Sequence, residues 1–242
     1  VNDPETDAEL AAHADDHQHH DVSGGWLRAA TFGAMDGLVT TIALIAGVGG
    51  GGADREMIVL TGLAGVVAGA FSMALGEFAS VGTQNDAVDA EAALERHELT
   101  IHPRAEQAEL ARRYRAMGLT APTAEAVARE LHAHPDVALR VHLSQELGVS
   151  LDDRPSPWTA AVSSFAAFAV GGIVPLVTFL LGFSSLPLGL AVGGLGLLLA
   201  GAATSRFTVR TWWGAALRQL AFGALAAGAT YLVGMLIGVS VG

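Results

Sequence analysis

From residue 155 to residue 205 the chain carries no charged side chain, a run of 51 residues. No soluble domain of this size buries such a run, whereas a membrane-spanning helix needs roughly 20 apolar residues, so the run accommodates two spans. Ser184-Ser185-Leu186-Pro187 supplies the turn between them. The same reading of the whole chain gives five spans, at 29–48, 57–81, 158–182, 188–205 and 219–239. With half its residues apolar and only 15% charged, the chain reads as an all-α integral membrane protein. The first 25 residues are acidic, with neither a basic n-region nor an apolar core, so no cleavable signal peptide is expected. Insertion then falls to the first span.

Orientation follows from arginine, since the chain has no lysine. Arg28, the eight arginines from Arg96 to Arg154, and Arg206, Arg210 and Arg218 fall on one side of a five-span layout; only Arg55 falls on the other. The count is 12 against 1, and still 4 against 1 without the central eight, which weigh little in a long loop. The amino terminus and a central domain are therefore expected in the cytoplasm. The expected divisions are an acidic tail with histidines (1–25), spans one and two (26–82), a cytoplasmic helical metal-binding domain (83–157) and spans three to five (158–242).

Asp36 is the lone charge between residues 29 and 53. A carboxylate at membrane depth is costly, and it is usually kept where protons or cations pass. The net charge of −11 argues against nucleic acid, which calls for a basic face. The absence of cysteine leaves oxygen, imidazole or thioether as the only metal ligands.

Between spans two and three the punctuation predicts four helices. The first continues span two through Glu98, and Pro103 opens the next, which runs to Gly118. Thr120-Ala-Pro-Thr opens the third, and Asp136 is expected to cap a fourth that closes at Gly148. Glu95 and Glu98 share a helix face, as do Glu106 and Glu109, while His142 and Glu146 share a face of the fourth helix. A bend at Pro103 would turn these faces together around one or two cations. An oxygen-rich set with one nitrogen suits Fe²⁺, Mn²⁺ or Zn²⁺ better than Cu⁺. The competing reading is a solvated acidic face paired with Arg96, Arg112, Arg113 and Arg115. A di-iron oxidase would need Glu-x-x-His motifs, which are absent.

The chain resembles the vacuolar iron transporter family, in its bacterial and nodulin-21-like branches. The likeness rests on Phe-Gly-Ala-Met-Asp-Gly-Leu-Val-Thr-Thr at 32–41, the glycine-rich segment at 62–81 that includes Met73 and Glu77, Gly-Gly-Ile-Val-Pro-Leu at 171–176 and Ala-Ala-Gly-Ala-Thr-Tyr-Leu-Val-Gly at 226–234. The resemblance implies a homodimeric antiporter that exports Fe²⁺, and often Mn²⁺, from the cytosol against inward proton movement. It implies metal binding by Glu95, Glu98, Glu106, Glu109 and Glu146, and a membrane pathway through Asp36 and Met73. The bacterial branch implies the cell membrane of a prokaryote. Two departures stand out. Gly65 occupies a place where the best-known members carry glutamate, which makes Glu77 a candidate substitute; and His142-Leu143 replaces a methionine pair, exchanging soft sulfur for borderline nitrogen.

His13, His17, His19 and His20 lie among Asp15, Asp16 and Asp21 in the tail, a pattern that can capture metal but is by default solvated. Gly65/Gly69, Gly189/Gly193 and Gly234/Gly238 permit close helix approach, without marking which helices would meet across a dimer. Arg206 and Arg210 suit lipid phosphate. The leading expectation is a proton-coupled Fe²⁺/Mn²⁺ exporter with no enzymatic activity; the alternative is a membrane-anchored metal buffer or sensor that does not transport.

Overall fold

The computed structural model describes residues 25–151, 154–207 and 211–241. These form eight α-helices: α1 (Trp26–Gly50), α2 (Arg55–Ile101), α3 (Pro103–Ala116), α4 (Ala121–His132), α5 (Pro135–Leu147), α6 (Pro157–Leu180), α7 (Leu186–Thr204) and α8 (Trp212–Val241), with a 3-10 turn at Ser205–Phe207. α1, α2, α6, α7 and α8 are long and apolar enough to cross a membrane. The molecule is an all-α membrane protein, as the uncharged runs indicate. The histidine-bearing tail and Arg210 lie outside the described residues.

α2 is the organising element. Asp54 caps its start, accepting from the Met57 N–H at 2.8 Å. It then runs 47 residues without a break. At 1.5 Å per residue that is roughly 70 Å, about twice the hydrocarbon thickness of a bilayer, so its polar carboxyl-terminal half projects beyond its apolar half. Pro103 then starts α3, and α4 and α5 likewise carry proline in their first turn, where no amide N–H is needed. Gly148, at φ 64, closes α5 in the left-handed conformation that side chains disfavour. Asp136 does not cap α5 as the sequence predicted; His134 holds the cap position and Asp136 lies within the first turn, near the positive end of the helix dipole. α8 starts seven residues earlier than expected, because exposed Arg218 does not interrupt a helix whose first turn presents Trp212 and Trp213. Such tryptophans suit the membrane–water boundary.

The spanning helices pack through small residues. α1 and α6 meet along Gly33 and Gly37 on one side and Gly171 and Gly172 on the other, and a β-carbon on Gly37 would collide with the Phe168 carbonyl. A second close approach sets Gly234 of α8 against the carbonyl of Gly47, where Thr230 Oγ1 donates to Ala43 O at 2.6 Å. Ile45, Ile58, Val66, Leu176 and Phe179 fill the centre between α1, α2 and α6. Arg55 Nε donates to Phe179 O at 2.8 Å, placing a cation at the negative end of α6.

Gly37→Ala should therefore destabilise the bundle by about 1–3 kcal/mol, the usual cost of overpacking. Gly76→Ala, which meets nothing within 4 Å, should leave thermal unfolding in detergent unchanged or slightly raised. Equal melting curves for the two variants would contradict the seam.

Candidate metal site

The projecting half of α2 carries Glu95, and the reversal at His102-Pro103 brings Glu106 of α3 alongside it. α5 packs against α2 through Ala92, Leu139 and Leu143, which sets His142 and Glu146 facing the same space. His142 Nδ1 lies 3.0 Å from Glu95 Oε1, 3.2 Å from Glu146 Oε1 and 3.7 Å from Glu106 Oε2. One ligand atom from each of these four residues falls within 4.8 Å of every other. The His142 side chain is fully buried, and those of Glu95, Glu106 and Glu146 are 14%, 15% and 21% exposed.

Three acceptor groups around one nitrogen leave too few protons to satisfy them. Glu95 Oε1 is buried and receives no hydrogen bond among the described residues. Burial raises the pKa of Glu95 above the usual carboxylate value; His142 opposes this, and Glu146, Glu106 and Glu109 push it further up. Glu106 is raised in the same way, chiefly by burial. A divalent cation would relieve both the repulsion and the missing bonds, and the donor set of carboxylate oxygens with one imidazole fits such an ion.

Glu109 stands apart from the four, paired with Arg113 at 3.1 Å and Arg112 at 3.8 Å. Arg113 Nε also lies 3.4 Å from Glu146 Oε1, so this guanidinium forms a cationic rim. Glu98 is half-buried and outside the group of four, though its charge reaches Glu106. The structure thus brings together Glu95, Glu106, His142 and Glu146 and leaves Glu98 and Glu109 at the edge.

Within the bundle, Asp36 is half-buried and accepts from Thr40 Oγ1 at 3.1 Å; no ion pair reaches it among the described residues. Gln219 of α8 donates to Met35 Sδ at 2.7 Å, beside Asp36. Met73 is half-buried on α2, and a β-carbon on Gly65 would meet only Leu44 among the described residues. Glu77 is buried and paired with Arg28 at 2.7 Å. Sequence reasoning did not join these two, although one begins span one and the other ends span two, on the same side of the layout. It also passed over His132, whose Nε2 lies 3.3 Å from His142 Nε2. Burial lowers the pKa of His132, with its bond to Ala128 working in the opposite sense.

The raised carboxylates fix the sign of a pH effect. Glu95 and Glu106 bind protons more tightly folded than unfolded, so their contribution to stability is present below about 4.5 and is lost as pH rises through the raised values. Metal-free protein should lose stability over that window, and Mn²⁺ should restore it above the window. A pH-independent melting curve for the metal-free helical region, unmoved by Mn²⁺, would contradict the electrostatic account.

Comparison with known proteins supplies the kinship. Residues 27–235 match the model of the VIT family. Vacuolar iron transporter 1 of Oryza sativa subsp. japonica is 30% identical over 230 residues, covering 93% of this chain and 91% of that protein. The vacuolar iron transporter of Acanthamoeba castellanii is 37% identical over 165 residues, 67% of this chain, and the match spans only 59% of that protein's length. Vacuolar iron transporter homolog 5 of Oryza sativa subsp. japonica is 48% identical over 82 residues, 34% of this chain and 39% of its own. The chain belongs to the VIT family of vacuolar iron transporters.

Proposed function

We propose that this protein is a proton-coupled transporter of divalent metal, with Fe²⁺ or Mn²⁺ as cargo, moving it out of the cytosol. The observation that carries the reading is the four-residue cluster of Glu95, Glu106, His142 and Glu146, whose Glu95 is borne on a helix that continues directly from a membrane span. Kinship with proteins named as iron transporters supports iron as cargo. The donor set also suits Mn²⁺, and Zn²⁺ less specifically. Glu98 would then add negative charge at the approach to the cluster, while Glu109 is held at the edge by Arg113 and Arg112.

In this reading residues 83–157 are a cytosolic metal-binding domain, residues 1–25 a cytosolic tail, and residues 26–82 and 158–242 the membrane part. The arginine asymmetry supports that orientation. Metal leaves the cluster for a pathway through Asp36 and Met73. Asp36 holds either a cation or a proton, and that exclusion couples the two movements. Thr40 orients the carboxylate by donating to it. Glu77 lies on the same helix as Met73 and is held by Arg28, so it acts as an anchor of α1 to α2 more readily than as a substitute carboxylate for Gly65. A homodimer is favoured because α8 presents Leu225, Leu232 and Leu236 outward while half-buried Asp36 needs shielding from lipid. The membrane is the cell membrane of a prokaryote in this reading.

Purified protein in liposomes, under an imposed pH gradient, should take up Fe²⁺ or Mn²⁺. Asp36→Asn, which keeps the volume and removes the exchangeable charge, should reduce uptake to background while calorimetric metal binding by the cluster persists. Undiminished proton-driven uptake by Asp36→Asn would overturn the coupling, and binding without any uptake by the parent protein would favour a metal buffer or sensor.

A further inference from the structure

His132 makes two contacts that no carboxylate-based account of the cluster uses. Its Nδ1 lies 2.9 Å from the carbonyl oxygen of Ala128, one turn earlier on α4. Its Nε2 lies 3.3 Å from His142 Nε2, and the two rings meet edge to face at 81° with centroids 5.1 Å apart. A carbonyl oxygen only accepts, so His132 Nδ1 carries a proton. Two ring nitrogens at 3.3 Å share one proton and have no room for two. The remaining choice is which ring owns it.

The surroundings of His142 make that choice consequential. Its Nδ1 faces Glu95, Glu106 and Glu146, and a metal among them needs the Nδ1 lone pair. A neutral imidazole that ligates through Nδ1 must keep its proton on Nε2 and needs an acceptor there. His132 Nε2 is the group in position to accept it. From this geometry we infer that His132 is a positioning residue for the metal site, holding His142 in the Nε2–H form so that Nδ1 is the ligating atom. The inference rests on the metal-site reading above and extends it to α4, which contributes no carboxylate to the cluster.

The chemical nature of this acceptor has a consequence. Ligating histidines commonly donate to a carboxylate, backbone carbonyl or water, and such partners fix the ring and raise its basicity. A neutral imidazole fixes the ring equally well but adds no negative charge to a pocket that already holds three carboxylates. Orientation is gained without the extra affinity that a fourth negative charge would add, which suits a site that must release its ion.

The test is nitrogen NMR on the full-length protein in nanodiscs, labelled with ¹⁵N-histidine, metal-free and with Zn²⁺ as a diamagnetic probe. His132 should show a protonated Nδ1 and a pyridine-like Nε2 in both states. In the Zn²⁺ form His142 should keep its proton on Nε2 while its Nδ1 shifts on metal binding. His132→Leu should weaken Zn²⁺ binding about 10–100-fold and release His142 to the other tautomer. His132→Gln, whose amide oxygen restores an acceptor, should recover most of that affinity. A protonated His132 Nε2 in either wild-type spectrum, or wild-type affinity in His132→Leu with His142 unchanged, would overturn the inference. Should wild-type protein bind no Zn²⁺, the metal-site reading falls, while the metal-free spectrum still decides the proton's place.

Discussion

Three carboxylates drawn from three helices cannot be held around a single buried nitrogen unless positive charge joins them. Glu95, Glu106 and Glu146 come from α2, α3 and α5, and their convergence on His142 fixes how those helices can be arranged. The apolar contacts of Ala92, Leu139 and Leu143 hold α2 against α5, but they lie beside the cluster and do not neutralise it. Arg113 offsets part of the charge from the rim, where it is shared between Glu109 and Glu146. Like charges at this spacing raise one another's proton affinity, so a proton and a metal ion compete for the same place. Any metal loading of the site would therefore be tied to the pH of the side it faces.

α2 links the cluster to the membrane bundle without a break. The same uninterrupted helix that presents Glu95 passes Glu77, Met73 and Gly65 on its way to Arg55. The ion pair from Arg28 to Glu77 ties α1, which carries Asp36, to this rod close to where it leaves the apolar bundle. The close seams of α1 with α6 and α8 leave α1 little freedom to slide, since backbone meets backbone at Gly37 and Gly234. The polar end of α2 is thus joined to the α1–α2 contact by unbroken helix, with no loop between.

Much of this was legible in the sequence because the bilayer imposes a coarse rule. Uncharged runs of sufficient length identified five spans, and proline and glycine marked the breaks at Pro103 and Gly148. Helical spacing also indicated that Glu95 and Glu98, or His142 and Glu146, share faces. Spacing could not say which carboxylate of Glu106 and Glu109 points inward, because that depends on the rotation of α3 about its axis after Pro103. Glu106 turns in while Glu109 goes to Arg113. The His132–His142 contact joins two helices through a turn, and no periodicity connects such positions. The span read at 219–239 is shorter than α8, which starts at Trp212, because a helix whose end lies at the membrane surface carries an arginine such as Arg218 without strain.

We propose that a divalent cation is held by His142 Nδ1 together with the three carboxylates. Pulsed electron paramagnetic resonance on Mn²⁺-loaded protein in nanodiscs tests it directly. A single directly bound imidazole nitrogen is expected, with a coupling that changes on ¹⁵N-histidine labelling and disappears in His142→Ala. A Mn²⁺ spectrum with no bound nitrogen, or one whose nitrogen coupling persists in His142→Ala, would contradict it.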